Sequence, residues 1–105
     1  MAFDFELAAS QDDGVVVLWA DGEFDLRNRD LVLNSVLERL DAGHAVILDL
    51  SRLTFVDSTG LSAMIRCRKA AERVGLRFTI RGAVGQVAHV LEMTGLGGPL
   101  GNPDA

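Results

Sequence analysis

Ala45-Val46-Ile47-Leu48-Asp49-Leu50 and, after Ser51-Arg52, Leu53-Thr54-Phe55-Val56-Asp57-Ser58-Thr59-Gly60-Leu61 form the stretch on which the fold turns. The first six residues are an apolar run bounded by Gly43 and a polar stretch, so they read as a buried strand; the run is too short for a helix. Beyond it the period changes. Leu61, Met64, Ile65, Arg68, Ala71 and Val74 recur at helical spacing, which predicts a helix over 58–74 ended by Gly75. A strand that leads into a helix in this way is the building unit of a parallel α/β sheet.

Upstream, Val15 to Ala20 is a continuous β-branched and aromatic run, as expected of a strand in the middle of a sheet. Before it, Phe3, Phe5 and Leu7 alternate with Asp4 and Glu6, the pattern of a strand with one buried face. Gln11-Asp12-Asp13-Gly14 supplies a turn that joins the two into a hairpin. Asp21-Gly22-Glu23-Phe24-Asp25 breaks the strand pattern. Leu26, Leu33, Leu37 and Leu40, with Leu31 and Val36 beside them, then predict a helix over 28–41, with Asn28 as its side-chain cap and Gly43 as its stop. Downstream, a strand is predicted over 76–81. Val84, Val87, Ala88 and Leu91 form the stripe of a third helix closed near Gly95, and residues 97–105, rich in turn formers, read as a frayed tail. The predicted fold is α/β in the order ββαβαβα: a small mixed, mostly parallel sheet with a leading antiparallel hairpin and helices packed against it.

At 105 residues the chain fits one domain, and 49% hydrophobic with 24% charged residues is an ordinary globular composition. The longest apolar run has six residues, against the roughly 20 of a membrane-spanning helix. No secretory leader pattern opens the sequence, and a cytoplasmic location is expected by default. The net charge of −5 argues against bulk attraction to nucleic acid or anionic membrane. It is unevenly spread, with 12 acidic and 4 basic residues up to Asp57 and 3 acidic and 6 basic beyond it, a polarity suited to an oriented protein contact.

Asp57, Ser58 and Thr59 fall together where a strand is predicted to meet a helix, the end of an α/β sheet where contact sites gather. Each of the three could simply cap the helix. Gly60 is discordant there, since glycine in a first helical turn costs roughly 1 kcal/mol relative to alanine, and close approach of a partner backbone would justify it. Arg66, Lys69 and Arg73 share one helix face, either solvated or docked on an acidic partner surface. Arg27 and Arg29 are equally available to a partner. Cys67 has no second cysteine, and His44 and His89 lie in other elements, so neither a zinc site nor a thiolate–base pair is indicated. Ser58 lacks the flanking glycines of a nucleophile elbow, no glycine-rich loop joins strand to helix, and no cofactor is expected.

Asp57-Ser58-Thr59-Gly60-Leu61, preceded by Leu53-Thr54-Phe55-Val56, resembles the signature of the STAS domain of bacterial anti-sigma factor antagonists. Gly22-Glu23-Phe24-Asp25 is similar to that family's second landmark, and Met93-Thr94-Gly95-Leu96 to its closing element. The resemblance implies a STAS-like domain over 1–97 with a flexible tail over 98–105. It implies a binding switch rather than an enzyme. Such an antagonist docks on an anti-sigma factor, often a serine kinase, and frees the sigma factor; phosphorylation of the serine after the aspartate, here Ser58, switches it off, and a serine phosphatase restores it. Asp57 would orient the Ser58 hydroxyl or contact the kinase, with helix capping as its structural role; Asp25 would line the same surface or stand as a solvated turn residue; and Thr59, Gly60, Arg66 and Lys69 would complete the expected contact. Thr59 is the alternative phosphoacceptor, ranked behind Ser58 by the family pattern. A phosphate on Ser58 is expected to be tolerated by the domain through free first-turn amides and the helix dipole. A constitutive STAS adaptor or scaffold subunit that is never phosphorylated is the competing reading. The protein is expected to be a monomer or weak homodimer, since an uncovered sheet edge permits but does not require pairing.

Overall fold

The computed structural model describes residues 5–95. Its elements are β1 (Phe5–Asp12), β2 (Val15–Phe24), α1 (Arg29–Asp41), β3 (Ala45–Val56), α2 (Ser58–Arg73), β4 (Phe78–Arg81) and α3 (Gly85–Thr94). One four-stranded sheet has the order β1-β2-β3-β4, with β1 antiparallel to β2 and the remaining pairs parallel. The predicted class and element order therefore hold; Phe3 and the predicted tail lie outside the described residues.

The hairpin closes more tightly than the turn formers suggested. Gln11 and Asp12 remain in β1, paired with Val16 and Val15, and only Asp13 and Gly14 turn, both with positive φ (49° and 78°). Two left-handed residues in succession match the twist of the flanking strands, and Asp-Gly is among the pairs that adopt them at least strain.

Register places Val16, Leu18 and Ala20 of β2 on the face shared by Val46 and Leu48 of β3 and by Phe78 and Ile80 of β4. All seven are buried. The crossovers β2-α1-β3 and β3-α2-β4 run in one direction along the sheet, so right-handed connections lay α1 and α2 side by side on this face. There Val32, Leu33, Val36 and Leu40 of α1 meet Ala63, Met64, Cys67 and Ala71 of α2 in one core.

Several expected boundaries shift. β2 continues four residues beyond Ala20 and β3 six beyond Leu50, because Asp21–Phe24 and Arg52–Val56 pair with each other across two register irregularities. The Thr54 hydroxyl donates to the Gly22 carbonyl at 3.0 Å and helps hold this extension. Leu26 and Leu31, read as part of the α1 stripe, are 62% and 52% exposed, and Val74 and Val84 of the other two predicted stripes are also exposed. The α2 stripe is rotated toward Ala63 and Cys67, whose small side chains let the helix lie close to the sheet. β4 begins at Phe78 rather than Leu76, and α3 ends at Gly95, a left-handed cap (φ 79°) as predicted.

Candidate functional site

The extended halves of β2 and β3 end side by side, at Phe24 and Val56, and from there the chain enters the β2–α1 loop and α2. Asp57 is the amino-terminal cap of α2. One of its carboxylate oxygens, Oδ1, accepts from the Thr59 amide (2.9 Å), the Gly60 amide (3.0 Å) and the Thr59 hydroxyl (2.6 Å). Burial pushes the Asp57 carboxyl up, but the Thr59 hydroxyl and these two amides outweigh it, and the group lies below the ordinary value of 3.8. The charge of Asp25 opposes that shift, so the two carboxylates share one local field. Asp57→Ala is expected to lower the unfolding free energy by about 1–2 kcal/mol through loss of this cap, read as a shift in urea midpoint at unchanged slope.

Ser58 is the first residue of α2 and is exposed; among the described residues its hydroxyl has no hydrogen-bond partner. Thr59 differs, because its hydroxyl is committed to Asp57. First-turn amides are also committed: those of Thr59 and Gly60 to the Asp57 carboxylate, and that of Leu61 to the Asp57 carbonyl (3.0 Å). Among the described residues only the Ser58 amide of this turn is left without a partner, which narrows the expectation of free amides waiting for a phosphate. An anion on Ser58 would face solvent, with its own amide as the first-turn donor left to it.

Gly60 is buried, and the backbone it approaches is the chain's own. A Cβ there would lie 2.7 Å from Val56 Cγ2 and 2.9 Å from the Phe24 carbonyl oxygen. That same carbonyl accepts from the Asp57 amide at 3.3 Å. Glycine thus lets α2 start directly against the end of β2.

The β2–α1 loop is held by Arg27 and Asn28. Arg27 spans Asp25 (2.8 Å) and Glu23 (3.3 Å), and its hydrogen bonds hold the Asp25 carboxyl below its ordinary range. Asn28 does not cap α1 with its side chain. It is buried inside the loop, where its Nδ2 donates to the Glu23 carbonyl (2.6 Å) and its Oδ1 accepts from the Asp25 amide (3.1 Å). Asp25 and Ser58 are therefore placed at the same end of the sheet, on segments joined by the Asp57 amide to Phe24 carbonyl hydrogen bond.

Two contributors carried no signal in the sequence. The Gln86 side chain pairs with Val56 as a neighbouring strand would, accepting from its amide and donating to its carbonyl, both at 3.1 Å. This fastens α3 just before Asp57. Farther down β3, the buried Asp49 accepts from the Ser51 amide (2.8 Å) and hydroxyl (2.6 Å) and from Arg81 Nε (2.8 Å). Burial raises the Asp49 carboxyl, and the Ser51 and Arg81 hydrogen bonds outweigh it, leaving it lowered. A lowered folded value means stability that is full above the ordinary carboxyl pKa and lost as pH falls through the folded one. Acidification below about pH 4 is therefore expected to lower the urea midpoint, less steeply in Asp49→Asn.

Arg66, Lys69 and Arg73 lie exposed along α2, about two to four turns beyond Ser58, and line its border with α1. Cys67 faces the opposite way. It is fully buried, and burial pushes its thiol up to about 12, so it serves as a small core residue.

A STAS domain family model matches residues 6–99. Among solved structures, the chain is similar to a putative anti-sigma factor antagonist from Thermotoga maritima, with 25% identity over 90% of this chain and 83% of that one and a TM-score of 0.82. It is similar to the anti-sigma factor antagonist SpoIIAA in its unphosphorylated form (24% identity, 89% and 82% covered, TM-score 0.75). The Bacillus cell fate determinant SpoIIAA in its phosphorylated form gives 23%, 89% and 85% covered, and 0.70. A sulfate transporter family protein from Wolinella succinogenes also shares the fold, at 25% identity with 84% and 72% covered and a TM-score of 0.71.

Proposed function

This chain belongs to the STAS domain family, and from that premise we propose that it is an anti-sigma factor antagonist: it binds an anti-sigma factor with serine kinase activity, frees the sigma factor, and is switched off by phosphorylation of Ser58. The observation that carries the proposal is the contrast between two adjacent hydroxyls. Ser58 is exposed and uncommitted, whereas Thr59 is spent on Asp57 at 2.6 Å. A kinase approaching this end of the sheet meets one acceptor that needs no local unfolding. Asp57 and Asp25 flank it, Gly60 seats the helix that presents it, and Arg66 and Lys69 extend the contact along α2.

No catalytic step is assigned to the chain in this role. It acts by surface complementarity, and a serine phosphatase reverses the modification. The test is incubation with candidate anti-sigma kinases and ATP, followed by mass spectrometry beside Ser58→Ala. Stoichiometric phosphate on Ser58, absent from the variant, is the expected result.

Similarity to a sulfate transporter family protein favours a second reading, a constitutive STAS adaptor. The same experiment separates the two: an adaptor binds its partner and stays unmodified.

A further inference from the structure

The core between α1 and α2 opens outward into a groove of about 130 Å³, lined by Leu33 and Leu37 of α1 and by Arg66, Lys69, Ala70 and Arg73 of α2. Its floor is apolar and its rim is cationic. The three cations recur at three and four residues along α2, where like charges repel one another. Among the described residues none of them meets a carboxylate, although the chain as a whole carries net charge −5. Arg27, Arg29, Arg39 and Arg81 each contact an acidic side chain, whereas Arg52 and Arg68, like the stripe, meet none among the described residues. Acidic groups are plentiful in this sequence, yet none of the described ones offsets this stripe.

We propose that this groove docks an acidic amphipathic segment of a partner protein, with an aliphatic side chain seated on the half-buried Leu37 and Ala70 above Leu33 and carboxylates paired with Arg66, Lys69 and Arg73. A groove of this size seats an anchoring aliphatic side chain of an incoming helix, while the cations continue the contact along α2 beside it. The long stems of Arg and Lys border such a trough while their charged ends stay hydrated, ready for carboxylates. A protein segment fits this chemistry better than nucleic acid, because no aromatic side chain lines the groove to stack a base. The groove shares Arg66 and Lys69 with the contact proposed above and in that respect rests on it, but a peptide assay needs no modification of Ser58, so failure of the groove and failure of the switch are read separately.

The probe is a fluorescein-labelled helical peptide of twelve residues with leucines at three- and four-residue spacing and glutamates on its flanks. Fluorescence anisotropy compares it with a glutamine-for-glutamate version, a single-stranded oligonucleotide and phosphatidylserine vesicles. Saturable binding of the acidic peptide is expected, about tenfold weaker for the glutamine version and weakened by salt. The variant Arg66→Glu/Lys69→Glu/Arg73→Glu should bind it about 30-fold less tightly, and Leu37→Ser about fivefold less. Arg66→Gln/Lys69→Gln/Arg73→Gln, which adds no acidic charge, should fall between the triple reversal and the parent and guards against loss of fold. Absence of saturable binding, equal binding by the charge-reversed variant, or tighter binding of the oligonucleotide or vesicles would overturn the proposal.

Discussion

Gly60→Val is expected to lower the unfolding free energy by about 3 kcal/mol, a large share of the roughly 5–15 kcal/mol available to a domain of this size. The first added carbon alone would sit 2.7 Å from Val56 Cγ2 and 2.9 Å from the Phe24 carbonyl oxygen. Val56 Cγ2 belongs to a buried side chain with little room to turn, and the carbonyl is fixed by its strand and by the Asp57 amide. Relief therefore requires α2 to lift away from β2, which breaks the Asp57 to Phe24 hydrogen bond and disturbs the cap on Thr59 and Gly60. Gly60→Ala separates the contributions. Alanine recovers up to about 1 kcal/mol of helix propensity and adds one carbon, so its loss should be visibly smaller. Valine gains less propensity and adds two more methyl groups. Urea unfolding of the three proteins checks the order, and a valine variant as stable as the parent would show that the close approach is not rigid.

Gly60 also shows how far a sequence alone reaches. Its misfit in a first helical turn was legible; the reason was not, because Phe24 lies far away in the chain and arrives only through strand pairing. The order of elements was legible for a simpler reason: short continuous apolar runs give way to apolar residues at helical spacing after each strand-to-helix junction, and Gly14, Gly75 and Gly95 punctuate the sequence. Strand length was not. Ser51, Arg52 and Thr54 are exposed and look like loop residues, yet their backbone continues β3 because the second half of β2 offers it a ladder. Leu26 and Leu31 misled for the opposite reason, being apolar at helical spacing but turned to solvent. Asn28 and Asp57 are equally good caps by residue type. Both stand at the cap position of their helices, and only the tertiary setting turns the Asp57 side chain to its helix and the Asn28 side chain into the loop.

Under the proposed function, Ser58→Asp should weaken binding of the anti-sigma partner about 100-fold and stoichiometric phosphate up to about 1000-fold, with Ser58→Ala within about threefold of the parent. The same charge should barely affect folding, and that contrast is the diagnostic part. In the free protein Ser58 faces water, so repulsion from the Asp57 and Asp25 carboxylates is screened, and the committed amides of Thr59 and Gly60 neither capture a phosphate nor are disturbed by it. A change in stability below about 1 kcal/mol is expected. A bound partner removes that water. The phosphate, carrying about −1.5 to −2 charges, is then held against two carboxylates in a medium of lower effective dielectric, and its dehydration adds to the repulsion. Titration calorimetry at two salt concentrations, paired with urea unfolding of the same samples, reads both sides. Ser58→Asp binding as tightly as the parent would remove the electrostatic basis of the switch. A parallel loss of folding stability would instead trace weak binding to damage at the start of α2, where Asp57 and Gly60 hold the helix against the sheet.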